Sequence, residues 1–319
     1  MDGGNRPGRS AGLKDTRPGP FLVLAGPTGV GKTALSLTIA SRIGAEIISA
    51  DSRQVFRGLD IGTAKPSWNE LAAVPHHFID ECNLGSLWSA GRFAEDANSR
   101  IAHIIQRGAV PLVVGGSTLY LETLVHGLAD IPDGDPAIRA ELNKQASTPE
   151  GARKLFEELQ RIDPEGAETL DPTKTQRLVR ALEVYRATGE PWSSFFAQAE
   201  PPPYRYRVVV LTRLREELYA RIEARVDAML DAGLLEENRG LMDAGFKLDT
   251  NPLRTIGYQE PFAHLSGEID YDEMVRLLKR NTRRYAKRQL TWFRRRPEYE
   301  WVDLSAYDST DDAAEAILS

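Results

Sequence analysis

The chain has 319 residues, 41% hydrophobic and 27% charged, with a formal net charge of −6. This is the composition of a globular protein with one large domain, or a main domain and an appendage. No run approaches about 18 consecutive apolar residues, which excludes a helical membrane span. The opening over residues 1–20, with five glycines and three prolines, has no apolar block; it argues against a secretory signal and predicts a disordered extension. The single cysteine, Cys82, excludes an internal disulfide and a cysteine-built zinc site, and the five histidines lack metal-ligand spacing. A reduced, cytoplasmic setting is expected.

In chain order, "FLVLAG" (21–26) is a continuous apolar run ending in glycine, which predicts a strand buried on both faces. A Gly-rich loop follows, then a helix from about Lys32 to Ile43. "AEIISAD" (45–51) reads as a second strand with polar residues at its carboxyl end, and "PHHFID" (75–80) as a turn entering a strand. An N-cap serine and the spacing of Phe93, Ala97, Ile101 and Ile104/Ile105 predict a helix over 89–107. "AVPLVVGG" (109–116) is a third buried strand, "RYRVVVLTR" (205–213) a fourth and "EWVDLS" (300–305) a last short one. From Pro132 to Pro203 no strand is legible. Three helical stretches, "DPAIRAELNKQA", "PEGARKLFEELQRI" and "TQRLVRALEVYRATG", end there at the breaker run "PPP". Helix is expected again over 215–243 and 272–296. Strand, loop and helix alternate, so the expected class is α/β: a P-loop parallel sheet flanked by helices, with a helical insertion domain. The expected organisation is an extension over 1–20, a core at 21–131, the insertion at 132–203, and core completion with basic helices at 204–319.

Gly26-Pro27-Thr28-Gly29-Val30-Gly31-Lys32-Thr33 fits the pattern G-x-x-x-x-G-K-[ST] between a buried strand and a helix. Its glycines let successive backbone N–H groups turn inward around an anion, and the helix N-terminus adds partial positive charge. Lys32 would reach terminal phosphate oxygens, and the Thr33 hydroxyl would help to hold Mg²⁺. The motif specifies a polyphosphate and not a reaction, so an ATPase, a small-molecule kinase and an enzyme gripping another diphosphate all stay open. A phosphate-hydrolysing enzyme of this type usually ends an apolar strand in Asp, whereas "PLVVGG" ends in glycines. Ligands of such sheets bind outside the carboxyl ends of the strands. Asp51 and Ser117 are therefore expected to face the phosphates, Asp51 either as a base or as the cap of the following turn.

Other stretches carry a specific resemblance. "GPTGVGKT", "ISADSRQVFRGLDIGTAKP" (48–66), "PHHFID", "VVGGSTLYLETLVHGL", "QRLVRALEVYRATG", "LRTIGYQE" (253–260) and "TRRYAKRQLTWFRRRP" (282–297) stand in the order of the bacterial tRNA dimethylallyltransferases, or isopentenyl-tRNA transferases. The chain resembles that family from about residue 21 to 304. The resemblance implies transfer of a dimethylallyl group from dimethylallyl diphosphate to the exocyclic amino nitrogen of the adenosine on the 3′ side of a tRNA anticodon. It implies a P-loop that holds the prenyl diphosphate rather than ATP, Asp51 as the base, and Ser117 as a group that holds the donor or orients the acceptor. Asp51, Ser52, Arg53 and Gln54 would contact the target nucleotide, which must leave its stack to reach the crevice. Arg139, Gln176, Arg177, Leu178, Val179 and Arg180 match tRNA-contacting positions in the insertion, and Arg254, Thr255, Ile256, Gly257, Tyr258 and Gln259 match others. Two departures stand out: Ser117 and then Thr118 where relatives have threonine directly after the paired glycines, and Thr173-Lys174 where relatives often have Asn-Asp.

The stretch 279–296 carries nine Lys/Arg and no acid, a local positive charge that the net −6 conceals. On a helix, Arg280, Arg284, Lys287 and Arg288 share a face by three- and four-residue spacing, and Leu278, Tyr285 and Trp292 recur every seven residues as the expected buried stripe. Such a helix would offer its cations to the phosphates of the tRNA anticodon stem-loop. A kinase explains neither this helix nor the missing metal Asp, and a non-catalytic RNA-binding switch leaves Asp51 and "DSRQVF" unused. A monomer with no membrane partner is expected.

Overall fold

The computed structural model describes residues 16–127, 131–132, 134–171, 174–197 and 201–319, with the backbone alone for Phe196 and Ala197. Most of the expected extension, and Thr173, lie outside these residues. The elements begin with β1 (Phe21–Ala25), α1 (Lys32–Ile43), β2 (Ala45–Ala50), α2 (Trp68–Ala73), β3 (His76–His77), α3 (Ala90–Gln106), β4 (Val110–Gly115) and α4 (Thr118–His126). Then come α5 (Pro136–Ala146), α6 (Pro149–Ile162), α7 (Pro164–Thr169), α8 (Thr175–Thr188) and α9 (Trp192–Ala197). The chain continues through β5 (Tyr206–Thr212), α10 (Arg215–Asp231), α11 (Leu234–Asp243), α12 (Gln259–Leu265), α13 (Tyr271–Phe293), β6 (Glu300–Asp303) and α14 (Thr310–Leu318).

The strands form one sheet, parallel throughout, in the order β3-β2-β4-β1-β5-β6. Val23, Leu24, Leu112, Val113, Val209 and Val210 are buried, which is why the central strands read as unbroken apolar runs: helices cover both faces. Register decides where the loops go. Ala25 of β1 and Ala50 of β2 are both level with Gly115 of β4, so the chain leaves all three strands side by side at the carboxyl edge. Gly115 is obligatory there, because a Cβ would lie 2.2 Å from the Ala50 carbonyl oxygen.

The chain divides into two compact units. One comprises the chain up to Trp88, Asp96–Leu121 and Pro203–Ser319 and holds the sheet; the other comprises Ser89–Glu95 and Glu122–Pro202. The helical unit thus begins before Pro132, at Glu122, and borrows the start of α3. Leu142, Leu155, Leu159, Leu178 and Leu182 form its own core. Within it, the buried Asp163 caps α7 at Gly166 N–H and also accepts from the Ser193 hydroxyl and N–H, tying α7 to α9.

Some expectations change. Residues 17–20, assigned to the disordered extension, are fixed beside the start of β5: Arg205 donates from Nε to Arg17 O at 2.8 Å and from its backbone N–H to Pro18 O at 2.9 Å. The single helical stretch over 215–243 is two helices, because Gly233 takes φ 99° and turns the chain between α10 and α11. Of the helices not foreseen, α2 had a legible start, the capping box of Ser67 and Glu70.

Candidate active site

The phosphate loop leaves β1 and enters α1 through Gly31, whose φ of 112° only glycine adopts readily. It is braced from behind by α10 and by the short link that leads from β5 into it. Arg213 donates from Nε to Val30 O at 2.8 Å, Arg221 from Nε to Gly29 O at 3.0 Å, and Arg225 Nη1 stands 3.5 Å from Thr28 Oγ1. Lys32 Nζ reaches Gly26 O at 2.9 Å and Pro27 O at 2.8 Å. Burial lowers the Lys32 pKa to about 7, the Arg225 charge pushes it the same way, and Asp51 offsets part of the shift. The Arg225 guanidinium is itself lowered by burial and then by Arg221, so this is a strongly electropositive, dehydrated corner.

Gln289 of α13 closes the loop from the other side. Its Oε1 accepts the Thr28 N–H at 3.0 Å, and its Nε2 donates to Gly116 O at 2.8 Å. A Cβ on Gly116 would lie 2.5 Å from that Nε2 and 2.9 Å from Gly26 O, so the second glycine of the pair is there for close approach.

After β2 the chain turns at once. Asp51 Oδ1 accepts from the N–H groups of Arg53 at 2.8 Å and Gln54 at 3.3 Å, so Asp51 does cap its turn. Its Oδ2 has no partner among the described residues. The Ser52 N–H donates to Ser117 Oγ at 2.9 Å. Gln54 donates from Nε2 to Thr63 O at 3.3 Å and Ala64 O at 3.2 Å, and accepts from Ser49 Oγ at 3.1 Å.

These pieces enclose a cavity of about 460 Å³. Its polar wall is Thr28, Gly29, Gly31, Lys32, Thr33, Asp51, Ser52, Arg53, Gln54 and Arg225. Its apolar wall is Val226, Met229, Leu234, Ile256 and Leu278, which pack together as one cluster. Gly62, Thr63, Ala64, Gly116, Arg254, Thr255, Gly257, Gln259, Thr282, Tyr285, Arg288 and Gln289 complete it.

Several residues singled out from sequence lie elsewhere. Gly26 and Pro27 present their carbonyls to Lys32 rather than to the cavity, and the Val30 side chain is in the hydrophobic core. Ser117 is buried behind the wall, as the support of the Asp51 turn. Tyr258 is fully buried, its hydroxyl committed to Glu237. In the helical unit Leu178 and Val179 are core side chains, because α8 packs that face inward; Gln176 and Arg177 are exposed. Arg139 and Arg180 there both donate to the buried Glu183 Oε2, each at 2.9 Å.

The basic helix α13 also differs in detail. Its buried positions are Met274, Leu278, Ala286, Gln289 and Phe293, at steps of four, eight, three and four that keep to one face of a straight helix, not the strict sevens of 278, 285 and 292. Tyr285 faces the cavity, and burial raises its hydroxyl pKa. Trp292 is half-buried with its ring edge on Phe293. Two of the nine cations are neutralised by α10: Lys279 pairs with Asp227 at 2.6 Å and Arg283 with Glu223. Arg280 lies along Asn281, its Nε 3.3 Å from Oδ1. Arg284, Lys287 and Arg288 are exposed and have no carboxylate partner among the described residues.

Sequence reasoning missed Gln289, Arg225 and Glu237. Gln289 is the one polar side chain among the five buried positions of a basic helix, and Arg221 and Arg225 are four apart on α10; both patterns were present but carried no address without the fold.

The family model described as IPP transferase matches residues 54–296. The tRNA dimethylallyltransferase of Salinibacter ruber is 59% identical over 283 residues, spanning 88% of this chain and 87% of that one. The tRNA dimethylallyltransferase 1 of Trichlorobacter lovleyi is 47% identical over 297 residues, with 92% and 97% covered. Among solved structures, the full-length tRNA isopentenylpyrophosphate transferase of Bacillus halodurans superposes with a TM-score of 0.69 at 38% identity over 94% of each chain. A eukaryotic dimethylallyltransferase, in crystallographic snapshots of its action on tRNA, gives a TM-score of 0.78 at 28% identity, with 93% of this chain and 77% of that one covered. Over most of its length, in sequence and in fold, this chain belongs to the IPP transferase family.

Proposed function

We propose that the chain transfers a dimethylallyl group from dimethylallyl diphosphate to the exocyclic amino nitrogen of the adenosine 3′ to a tRNA anticodon, releasing diphosphate. One observation carries the reading: a single cavity joins a phosphate loop, an apolar wall of five side chains and the carboxylate of Asp51. The apolar wall beside the phosphate loop suits a short prenyl chain carried on its diphosphate.

The residues present suit Mg²⁺. Thr33 offers one hydroxyl to the cavity, and no cluster of three or more acidic, histidine or cysteine side chains occurs among the described residues. Mg²⁺ favours this situation, with one protein oxygen and the remaining ligands from diphosphate and water. When bound, it would neutralise charge on the leaving diphosphate.

The amino nitrogen of adenine attacks C1 of the dimethylallyl group, and the C1–oxygen bond breaks with its electron pair leaving on diphosphate. Lys32, Arg225 and the loop N–H groups stabilise that developing charge. Asp51 holds its turn with Oδ1 and takes the amino proton on Oδ2. The adenosine enters unstacked between the 51–54 turn and the 254–259 turn, as bases in RNA loops are read. Arg284, Lys287 and Arg288 meet backbone phosphates. The enzyme acts as a cytoplasmic monomer; among the described residues no helix is long and apolar enough to cross a membrane.

The test is incubation with Mg²⁺, dimethylallyl diphosphate and an unmodified tRNA with A-A-A in its anticodon loop, followed by mass spectrometry of the digested nucleosides. Prenylated adenosine is expected. Its absence with every such tRNA, or phosphate transfer from ATP instead, would falsify the proposal.

A further inference from the structure

The stretches "DIGTAKP" and "RTIGYQ" meet at a residue that neither contains. Glu237, on α11, turns its carboxylate into the loop at 60–62. Oε2 accepts the backbone N–H of Asp60 at 3.1 Å and of Ile61 at 2.7 Å; Oε1 accepts that of Gly62 at 3.1 Å and the Tyr258 hydroxyl at 2.8 Å. Three successive N–H groups converging on one anion make a nest, filled here from within the chain. Next to it, the buried Asn238 donates to Gly257 O at 3.2 Å, while Glu260 accepts the Gly257 N–H at 3.1 Å. There is no slack in the joint. A Cβ on Gly62 would lie 2.6 Å from the Tyr258 ring, and one on Gly257, at φ 94°, would lie 2.8 Å from Gly62 O.

Glu237 is not in the cavity wall, yet Gly62, Thr63, Ala64, Thr255, Ile256 and Gly257, which it holds together, all are. The same loop carries on to the reacting carboxylate. Thr63 and Ala64 offer their carbonyls to Gln54 Nε2, and the Gln54 N–H is bonded to Asp51 Oδ1. Hydrogen bonds joined by short covalent steps therefore link α11 through the loop to Asp51. We infer that Glu237 is a positioning residue for prenyl transfer, setting Asp51 and Gln54 against the donor without touching either substrate. This rests on the reaction proposed above. Charge-assisted bonds are the strong ones, and loss of the carboxylate would leave three N–H groups and a hydroxyl without their acceptor.

The test compares wild type, Glu237→Gln, Glu237→Ala and Tyr258→Phe in steady-state prenylation, with affinity for Mg²⁺-pyrophosphate and thermal melting measured on each. For both Glu237 variants kcat should fall roughly ten- to a hundredfold, the scale for a misplacement of about 1 Å. Gln does not rescue, because its amide NH2 would face N–H donors. Pyrophosphate affinity should be unchanged, since the phosphate loop is braced by α10 and Gln289 and not by this joint. Tyr258→Phe keeps the ring on Gly62 and removes one of four bonds, so a smaller loss is expected; it decides the matter if Glu237→Ala does not fold. Undiminished kcat in Glu237→Gln and Tyr258→Phe overturns the inference alone, as does a loss of pyrophosphate affinity that parallels the loss of kcat. A wild-type protein that forms no prenylated adenosine overturns the reaction, and the inference with it.

Discussion

Asp51 has two oxygens with separate duties, and that division makes its role testable. Asp51→Asn keeps an Oδ1 to cap Arg53 and Gln54 but removes the proton acceptor. Turnover should drop about 10²- to 10⁴-fold while tRNA affinity measured by filter binding stays the same. A variant with near-normal kcat would show that another group takes the proton. Lys32 makes a second case. Its pKa, held near 7 by burial and Arg225, must rise when a polyanionic diphosphate arrives beside it. Binding should therefore take up a proton between pH 7 and the ordinary lysine range, and none below it, where Lys32 is already charged. Calorimetry of pyrophosphate binding in buffers of different ionisation enthalpy reads this directly, and the uptake should vanish in Lys32→Met. For folding the sign is parallel: the unfolded chain keeps this proton up to the ordinary lysine range and the native one only to about 7. The contribution of Lys32 thus improves stability as pH rises between those limits. Asp51 and Lys32 were both legible from sequence, since each sits at a fixed offset from a buried strand, and so was Asp51 as a turn cap; that Oδ1 alone makes the cap and leaves Oδ2 to the cavity needed coordinates.

At the scale of elements, α13 does two jobs on two faces. Inward, Gln289 links the phosphate loop to the end of β4. Gln289→Leu would strand a Thr28 N–H and a Gly116 carbonyl, which should cost about 1–3 kcal/mol in urea unfolding and weaken pyrophosphate binding. Outward, Arg284→Ala should weaken tRNA binding and lower the slope of log affinity against log salt by roughly 0.7–0.9. An unaltered slope would remove this face from the RNA. The same substitution at Lys279 should change little, because that cation is already matched by Asp227 and exposed pairs contribute about 0–1 kcal/mol. The existence of α13 and its charge were readable from spacing. Which cations are free was not, because their counter-ions come from α10, some 50 residues earlier in the chain.

For the molecule as a whole, the sheet turns three strand ends into one site. The level of Ala25, Ala50 and Gly115 brings together loops separated by up to about 90 residues, so ligand binding should stabilise the sheet unit as a body. Mg²⁺-pyrophosphate at about a hundred times its Kd should add about 2.7 kcal/mol and raise the melting temperature; EDTA should reverse most of the gain. An equal shift without Mg²⁺ would mean that Lys32 and the loop suffice without the metal.

Local chemistry determined much of this protein directly from its sequence: buried strands from unbroken apolar runs, the phosphate loop from glycines and lysine between a strand and a helix, a basic helix from three- and four-residue spacing. Those signals depend on neighbours within a few residues, and so they survive in one dimension. Only the tertiary structure decided that Val30, Leu178, Val179 and Tyr258 are packed inside, that Ser117 supports a turn, and that Gln289, Arg225 and Glu237 brace the site. Each of these depends on a partner well removed in the chain, whose hydrogen bond or van der Waals contact exists only once the chain has folded.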